Sequence, residues 1–460
     1  MEIRGKTLLL MGGGAYAKDI AAYQEKTGFR IVTVGRDKDT PISRMADAFY
    51  NVDTQNVDEI VRIVEAESIE GIFVGSSEVN ISPAIDVSER SRARFYATRA
   101  QWDVLADKAR FKDACRAAGV PVVKEFSLSE HPSDDAISAL PFPVLLKPVD
   151  SSGARGMHAC YSVDEFKEYY AEALKWSKKK KVIIEELITD AREVFFQYNI
   201  QDGKTALSSC FTKVFTETEN KELILPIFHM YPSKFIEEYY STVHDAVVRL
   251  FRDLDIQNGY MTLQSFYRDG QFYVFEAGYR MGGAQNYIFT EYQNGVNALE
   301  GMINYALTGH MSDDCMVDRD NARFKYPCCN YYVGLKPGII DRMDGVEEVR
   351  NMPGVLNVTV MSHVGQIVED TNALERVCLR IHVLGETKDA LARLLVKISQ
   401  TLRIISTEGE EMQLEHLSYD RCITAINNSV TIGGGGYDAL VIFLYVHEVA
   451  TSERRLSLCA

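Results

Sequence analysis

The stretch VFEAGYRMGGAQ, residues 274–285, puts a carboxylate and a guanidinium close together beside a run of glycines. Glu276 ends an apolar, strand-like segment, and Arg280 follows four residues later. Because a buried carboxylate is costly unless a positive group or a hydrogen-bond donor meets it, Glu276 needs a partner. The pattern leaves three partners open: Arg280, a metal ion or water.

A predicted hairpin gives Glu276 a neighbour. In MTLQSFYRDGQFYVFEAG, residues 261–278, two strand-like segments flank the turn formed by Asp269 and Gly270. Gln264 on the first strand and Glu276 on the second can then face the same side. Two side-chain oxygens suit a hard cation such as Mg2+, which takes its other ligands from phosphates and water. The alternative is a cross-strand Gln–Glu pair satisfied by Arg280.

LLKPVDSSGARGM, residues 145–157, is compatible with phosphate binding. Lys147 ends an apolar run, so its ammonium group is predicted to emerge from a sheet. Glycines let a backbone approach phosphate oxygens closely. The loop after Lys147 combines such glycines with hydroxyl groups: Ser151, Ser152, Gly153 and Gly156. The alternative is a solvated loop beside a lysine whose stem lies on apolar surface.

A third stretch, VIIEELITDAREV at residues 182–194, has the pattern of a nucleoside-binding strand and linker. The strand-like run leads through Glu185 and Glu186 into Leu187 and Ile188, a short linker whose backbone groups can meet a flat heterocycle. Glu193, farther along, can accept hydrogen bonds from ribose hydroxyls. Two glutamates at a strand end are also commonly just solvated.

Substrate contacts are predicted from weaker patterns. GSSEVN, residues 75–80, follows a predicted parallel strand, where α/β sheets bind ligands. Its polar residues can meet a substrate amine or simply cap a helix: Ser76, Ser77 and Glu78. FHMYPS at 228–233 can line an acceptor pocket, and the fork of Arg280 fits a carboxylate bidentately.

The glycine run MGGGAYA, residues 11–17, matches a dinucleotide-binding fingerprint only partly. Gly12, Gly14 and Ala17 have the required spacing, and Asp37 lies at a suitable distance downstream. We favour a tight strand-to-helix turn without a dinucleotide. A dehydrogenase is therefore the least favoured class of enzyme.

Composition excludes several classes of protein. The chain has 460 residues, of which 46% are hydrophobic and 25% charged, and its net charge is −15. This length predicts two to four domains, and the acidic balance argues against nonspecific nucleic-acid binding. Apolar runs are too short for a membrane span. Nine cysteines without metal-ligand spacing fit a reducing, cytoplasmic location.

The elements that position these residues follow from periodicity. Strands at 7–11, 30–35 and 71–75 alternate with helices that begin near 16 and cover 57–66, which predicts a parallel sheet. Further helices are predicted over 103–118, 164–181, 239–256 and 387–402. Further strands are predicted over 143–149, 182–187, 193–200, 205–212, 331–338, 355–360 and 378–385. The tail, with its GGGG run and the apolar run at 439–446, has no assigned role.

In order and content these motifs resemble the ATP-grasp superfamily over roughly residues 1 to 420, and the region from 325 resembles the C-terminal domain of L-amino acid ligase-like carboxylate–amine ligases. The resemblance implies a role for each position. Lys108, Lys147 and the 151–156 loop contact ATP phosphates. Glu185, Glu186 and Ile188 bind adenine, and Glu193 binds ribose. Gln264 and Glu276 hold Mg2+ or Mn2+, and Arg280 acts with Lys147 at the transferred phosphate.

The implied fold class is α/β, with an α+β ATP-grasp part. It comprises a pre-ATP-grasp domain with a parallel sheet (1–98), a linker helix and small lid subdomain (99–182), and a catalytic subdomain with antiparallel sheets (183–324). A C-terminal α+β domain (325–420) and a tail (421–460) follow. One departure stands out: family members usually carry Asn two residues after the metal glutamate, and this chain has Gly278.

The implied reaction joins a small-molecule carboxylate to an amine. The carboxylate takes the γ-phosphate of ATP to form an acylphosphate, and the amine displaces the phosphate. Two alternatives remain: a bicarbonate-using carboxylase and a nucleotide-binding regulatory module with a degenerate metal site. No nucleic-acid or membrane partner is expected, and a homodimer is compatible with the resemblance.

Overall fold

The structure is a computed structural model, and it describes residues 2–129, 132–149, 156–189, 191–216, 225–370 and 374–428. The strands are β1 (Thr7–Leu10), β2 (Arg30–Gly35), β3 (Ala48–Asn51), β4 (Gly71–Phe73), β5 (Glu125–Phe126), β6 (Val144–Pro148), β7 (His158–Cys160), β8 (Val182–Glu186), β9 (Arg192–Gln201), β10 (Lys204–Phe215), β11 (Pro226–Tyr231), β12 (Gly259–Arg268), β13 (Gln271–Gly278), β14 (Cys328–Gly334), β15 (Gly338–Asp344), β16 (Val355–Val360), β17 (Ile367–Val368), β18 (Val377–Leu384) and β19 (Arg403–Ser406).

The α-helices are α1 (Ala17–Thr27), α2 (Pro41–Met45), α3 (Val57–Ala66), α4 (Ile81–Arg90), α5 (Arg99–Leu105), α6 (Lys108–Ala118), α7 (Asp134–Ser138), α8 (Val163–Trp176), α9 (Ile236–Thr242), α10 (His244–Asp253), α11 (Tyr287–Asn294), α12 (Ala298–Thr308), α13 (Val346–Arg350), α14 (Lys388–Thr401) and α15 (Tyr419–Asn428). Among the described residues, none of these helices combines the length and apolar character that a membrane crossing needs.

The N-terminal part is a parallel sheet in the order β3-β2-β1-β4. Leu8 on β1 pairs with Ile31 on β2 and with Gly71 on β4. Both faces of β1 are buried, as expected for a parallel strand between helices. Helix α3 buries Ile60, Ile63 and Val64, a spacing of three and four residues. The predicted parallel sheet is confirmed.

A small antiparallel sheet in the order β5-β8-β6-β7 follows, with α8 packed against β6 and β7. The apolar cluster between α8 and the sheet includes Leu146, Phe166 and Ile184. This unit carries Lys147 at the end of β6 and Glu185 on β8.

The largest element is an antiparallel sheet of eight strands in the order β13-β12-β9-β10-β11-β14-β18-β16. Strand β11 pairs with β14 through Phe228 and Tyr331, so the strands from the 325–420 segment continue the sheet begun in the 183–324 segment. A three-stranded sheet, β17-β15-β19, completes the C-terminal part. The parallel N-terminal sheet followed by antiparallel sheets confirms the predicted α/β fold class.

Three predicted helices differ from the structure. The helix predicted over 103–118 is two helices, α5 and α6, because Asp107 accepts hydrogen bonds from the backbone of Ala109 and Arg110 and starts a new helix. The segment 239–256 divides between α9 and α10 at Val243, whose φ of −125° is not helical. Helix α8 ends at Trp176 rather than at residue 181, and Lys180 has a φ of +54°. From residue 429 onward the tail, including its glycine and apolar runs, lies outside the described residues.

Candidate functional site

The hairpin of β12 and β13 places Gln264 directly opposite Glu276. The turn residues Asp269 and Gly270 both have positive φ, at 51° and 81°, as a two-residue hairpin turn requires. The amide Nε2 of Gln264 donates to Oε2 of Glu276 at 3.2 Å. The cross-strand Gln264 is thus one hydrogen-bond partner of the Glu276 carboxylate.

One face of the eight-stranded sheet carries a row of charged groups beside this pair. Phe195 on β9 lies opposite Gln264, and Glu193 lies two residues away on the same face. Nζ of Lys213, on β10, is 3.1 Å from Oε2 of Glu193. Burial raises the pKa of Glu193, the Lys213 ammonium lowers it, and the Glu276 carboxylate raises it further. Glu193 therefore lies close enough to Gln264 and Glu276, the candidate metal ligands, to interact electrostatically with Glu276.

Lys147 and Glu185 form a buried ion pair in the small sheet. Nζ of Lys147 is 2.6 Å from Oε2 of Glu185, and Lys112 of α6 contacts the other carboxylate oxygen. Burial would raise the pKa of Glu185, but the two ammonium groups outweigh it and bring the pKa to about 2. Burial lowers the pKa of Lys147 to about 8.

The two other predicted linker residues lie in different surroundings. Glu186 is half-buried, and its Oε1 accepts from Nη2 of Arg268 at 2.7 Å. Ile188 is buried in an apolar cluster between β6 and the β12–β13 hairpin. The rings of two members of this cluster, Phe266 and Phe275, stack with centroids 4.5 Å apart. The partly buried members at the edge of this cluster, Met157, Ala159 and Tyr273, are also apolar or aromatic.

Arg280 pairs with a residue of the N-terminal part. Its Nη2 is 3.1 Å from Oε2 of Glu78, which follows β4. The structure thus brings together two of the predicted substrate residues. Ser76 and Ser77, by contrast, are each only 1% exposed.

The glycine run after β1 has a packing role. A Cβ on Gly12 would lie 2.5 Å from the carbonyl oxygen of Val74 and 2.9 Å from Cβ of Ser77. The side chain of Asn80 donates to the carbonyl of Met11, at the end of β1. The turn is therefore filled by the loop after β4, in agreement with the favoured tight-turn interpretation.

The loop at 280–286 is held by side chains from the C-terminal strands. Arg380 on β18 donates to the carbonyl of Gly283 at 2.6 Å and to the side-chain oxygen of Gln285. Asn330 on β14 donates to the carbonyl of Ala284 at 3.2 Å. From the N-terminal part, the hydroxyl of Tyr16 donates to the carbonyl of Gly282 at 2.7 Å.

The remaining predicted residues have these positions. Lys108 is the first residue of α6, and its charge acts on Lys147. Gly156 has a φ of +72° and packs against Trp176. Ser151, Ser152 and Gly153 lie outside the described residues. The FHMYPS segment lies on β11 and just beyond it, where the buried ring of His229 approaches the hydroxyl of Tyr332 at 3.2 Å.

The residues at 264 and 276 fit a hard cation bound partly by phosphate and water. Oε1 of Gln264 is buried and has no hydrogen-bond partner in the described part of the chain, and the carboxylate of Glu276 lies beside it. No group of three or more His, Cys, Asp or Glu side chains suited to a metal occurs among the described residues. Gly278 adds no oxygen. The donor set is that of a cation with few protein ligands, as Mg2+ prefers.

Three residues of this region were not identified from the sequence. Lys213 follows Phe211 by two residues on the same face of β10, and a lysine at such a buried position indicates an ion pair. Arg380 and His382 are two residues apart on β18 and share one face of a buried strand. Two polar residues on one face of an otherwise apolar strand were the sequence pattern that could have identified Arg380. Lys112 had a weaker signal, because a lysine on an amphipathic helix is usually solvated.

Comparison with known proteins shows what this chain is similar to. Residues 107–311 match the family model described as carbamoyl-phosphate synthase L chain, ATP binding domain. The formate-dependent phosphoribosylglycinamide formyltransferase of Ignicoccus hospitalis is 24% identical over 260 residues, which are 54% of this chain and 61% of that protein. This chain thus spans less than two thirds of that relative.

Two solved structures share the fold. Phosphoribosylglycinamide synthetase from Anaerococcus prevotii superposes with a TM-score of 0.72 at 16% identity, covering 88% of this chain and 100% of that one. L-amino acid ligase from Bacillus licheniformis superposes with a TM-score of 0.70 at 17% identity, covering 88% and 99%. At these identities the likeness shows the fold alone.

Proposed function

We propose that this chain, which carries an ATP-grasp domain over residues 107–311, is an ATP-dependent ligase that joins a small-molecule carboxylate to an amine. The observation that carries the proposal is the cross-strand pair of Gln264 and Glu276, with a buried oxygen of Gln264 left without a hydrogen-bond partner in the described region. That oxygen of Gln264 would be a ligand for a divalent cation that also binds the phosphates of ATP.

Nucleotide binding uses residues of the small antiparallel sheet, of α6 and of the eight-stranded sheet. Lys147 and Lys108 supply positive charge to the phosphates, and Gly156 ends the loop that follows Lys147. The apolar cluster around Ile188 takes the adenine, with Glu185 and Glu186 at the edge of the base. Glu193 lies farther along the same chain segment and is the ribose contact. Lys213, paired with Glu193, adds a cation on the floor of the site.

The first chemical step is phosphoryl transfer. A carboxylate oxygen of the substrate attacks the γ-phosphorus of ATP, the bond to the bridging oxygen breaks, and ADP leaves. A divalent cation held by Gln264 and Glu276 would neutralise phosphate charge at this point. Arg280 and Lys147 stabilise the charge on the transferred group, because positioning and electrostatics dominate phosphoryl transfer.

In the second step the amine nitrogen attacks the acyl carbon, phosphate leaves, and a proton is lost from nitrogen. Glu78 and Arg280 together suit a substrate that carries both signs of charge, since Glu78 can receive an ammonium and Arg280 a carboxylate. Water must be excluded during this step, because it would hydrolyse the acylphosphate. We further propose that the enzyme acts in the cytoplasm.

The test is ADP release with Mg2+–ATP in the presence of pooled carboxylic acids and amines. We expect release that requires both a carboxylate and an amine, with a matched Glu276→Gln variant as the inactive control. Release that requires bicarbonate instead would favour a carboxylase. Nucleotide binding without turnover under any condition would favour a regulatory module, and a chain that binds no nucleotide would refute both enzymes.

A further inference from the structure

We propose that Lys112 is a positioning residue of the nucleotide site. Lys112 shares the carboxylate of Glu185 with Lys147 and so leaves the Lys147 ammonium available to a phosphate. The inference rests on the proposed nucleotide-binding function and extends it to a residue outside the binding surface.

The three side chains form one buried arrangement. Lys112 and Glu185 are each 1% exposed, and Lys147 is 4% exposed. Lys112 contacts Oε1 of Glu185, whereas Lys147 contacts Oε2 at 2.6 Å. The two ammonium groups therefore occupy different oxygens of the same carboxylate, and neither displaces the other.

The sheet explains why these charges meet. Strand β8 lies between β5 and β6, so Glu185 is opposite Glu125 on one side and Leu145 on the other. Nζ of Lys112 reaches both carboxylates and is 2.9 Å from Oε1 of Glu125. Arg116, one helical turn after Lys112, contacts the other oxygen of Glu125. Positive and negative groups thus alternate from the surface to Lys147.

This alternation of positive and negative groups decides how tightly Glu185 holds Lys147. A carboxylate with a single buried ammonium partner forms a closed, neutral pair that is costly to separate. With Lys112 also present, Glu185 is satisfied after Lys147 turns toward a phosphate. Removing Lys112 would leave Lys147 as the sole cation of the buried Glu185, and nucleotide binding would then have to break that pair.

The same geometry sets a pH dependence. Among the described residues, the charged groups with the largest effects on Lys147 are Glu185 from β8 and two lysines of α6, Lys112 and Lys108. Burial lowers the pKa of Lys147, Glu185 raises it, and Lys112 and Lys108 lower it, so that the net pKa is about 8. Loss of Lys112 therefore raises the pKa of Lys147. Loss of Glu125 lowers it, because Lys112 then turns wholly to Glu185.

The experiment measures Mg2+–ADP binding to the full chain by titration calorimetry between pH 6.5 and 9.5. Wild-type affinity is expected to fall as the pH rises through about 8. In Lys112→Met we expect affinity at pH 7 to be weaker by about tenfold and the fall to move to higher pH. In Glu125→Gln, whose half-buried site tolerates an isosteric amide, we expect the fall to move to lower pH.

Two controls separate the outcomes. Lys112→Arg keeps the positive charge and is expected to bind Mg2+–ADP with nearly wild-type affinity. Arg116→Gln removes only the outermost cation and is expected to change the affinity for Mg2+–ADP less than the other variants do. If the wild type binds Mg2+–ADP and neither Lys112→Met nor Glu125→Gln moves the pH dependence, the inference is overturned. If Lys112→Met does not fold, the shift in Glu125→Gln alone decides it. A wild type that binds no nucleotide overturns the proposed function itself.

Discussion

Replacing Gly278 by Asn tests the proposed metal site at Gln264 and Glu276 directly. Gly278 lies two residues after Glu276 on β13, so the two positions share a face of the strand and are about 7 Å apart. Apart from its two chain neighbours, no heavy atom of the described residues would lie nearer to a Cβ at Gly278 than Cζ of Arg280 at 4.0 Å, and the backbone there is outside the left-handed region. The position therefore has room for a side chain and no strain against one.

The expected gain comes from one oxygen near the cation. A contact between a polar group and a charge contributes about 1.5–3 kcal/mol, which corresponds to about 10- to 150-fold in Kd. We expect Gly278→Asn to lower the Mg2+ concentration that half-saturates ADP-forming turnover by at least the smaller factor. The assay is a Mg2+ titration of ADP release at fixed ATP.

The matched controls are Gly278→Leu and Gly278→Ala. Leucine has the branched shape of asparagine but no side-chain oxygen. Replacing a strand glycine by alanine stabilises the fold by about 0.5–1 kcal/mol, so Ala reports the backbone effect by itself. If Leu or Ala lowers the Mg2+ requirement as much as Asn does, the gain is not due to a new ligand. An unchanged Mg2+ requirement in all three variants would remove position 278 from the metal site.

Three further variants test other contacts. Glu276→Gln removes a charge beside Gln264 while keeping its shape, so we expect turnover to be lost and the thermal midpoint to change little. Glu185→Gln removes a carboxylate whose folded pKa of about 2 lies below its ordinary 4.5. The stability that this carboxylate supplies, on the order of 3 kcal/mol, is present above pH 4.5 and lost as the pH falls toward 2. The denaturation midpoint of the variant should therefore vary less with pH over that range than the midpoint of the wild type. Arg380→Met leaves the carbonyl of Gly283 and the amide oxygen of Gln285 without this donor, which should cost about 1–3 kcal/mol in urea denaturation.

Each of these variants has a clear contrary result. Full turnover in Glu276→Gln would place the metal elsewhere. Wild-type pH dependence in Glu185→Gln would mean that another group titrates between pH 2 and 4.5. Wild-type stability in Arg380→Met, with Arg380→Lys as the control that keeps a positive charge, would show that the loop at 280–286 does not depend on β18.

Hydrophobic periodicity and turn residues were enough to predict much of the fold from the sequence. Parallel strands separated by helices identified the N-terminal sheet, and the Asp269–Gly270 turn identified the β12–β13 hairpin. The register set by that turn would place Gln264 opposite Phe275. A bulge between Gln264 and Ser265, which the sequence did not indicate, brings Glu276 opposite Gln264 instead. The helix boundaries were harder, because a single capping residue decides them. Asp107 reads as a solvated helix residue in the sequence, yet its side chain accepts from two backbone N–H groups and begins α6.

Long-range partners were beyond the reach of periodicity. Arg280 and Glu276 are close in sequence, which made a mutual pair the simplest hypothesis, but Arg280 pairs with Glu78, 202 residues earlier in the chain. Lys112 is 73 residues from Glu185. Such contacts depend on how sheets and helices pack in three dimensions, and a sequence pattern carries little information about that packing.

The loop at 280–286 shows why these contacts matter for the proposed chemistry. Arg280 faces Glu78 of the N-terminal part, Gly282 accepts from Tyr16, and Gly283 to Gln285 are held from β14 and β18. Three separate segments of the chain therefore determine where one short loop lies. A displacement of about 1 Å at a reacting group can cost 100-fold in rate. Variants in β18, though distant in sequence from Glu276, should consequently lower turnover before they unfold the protein.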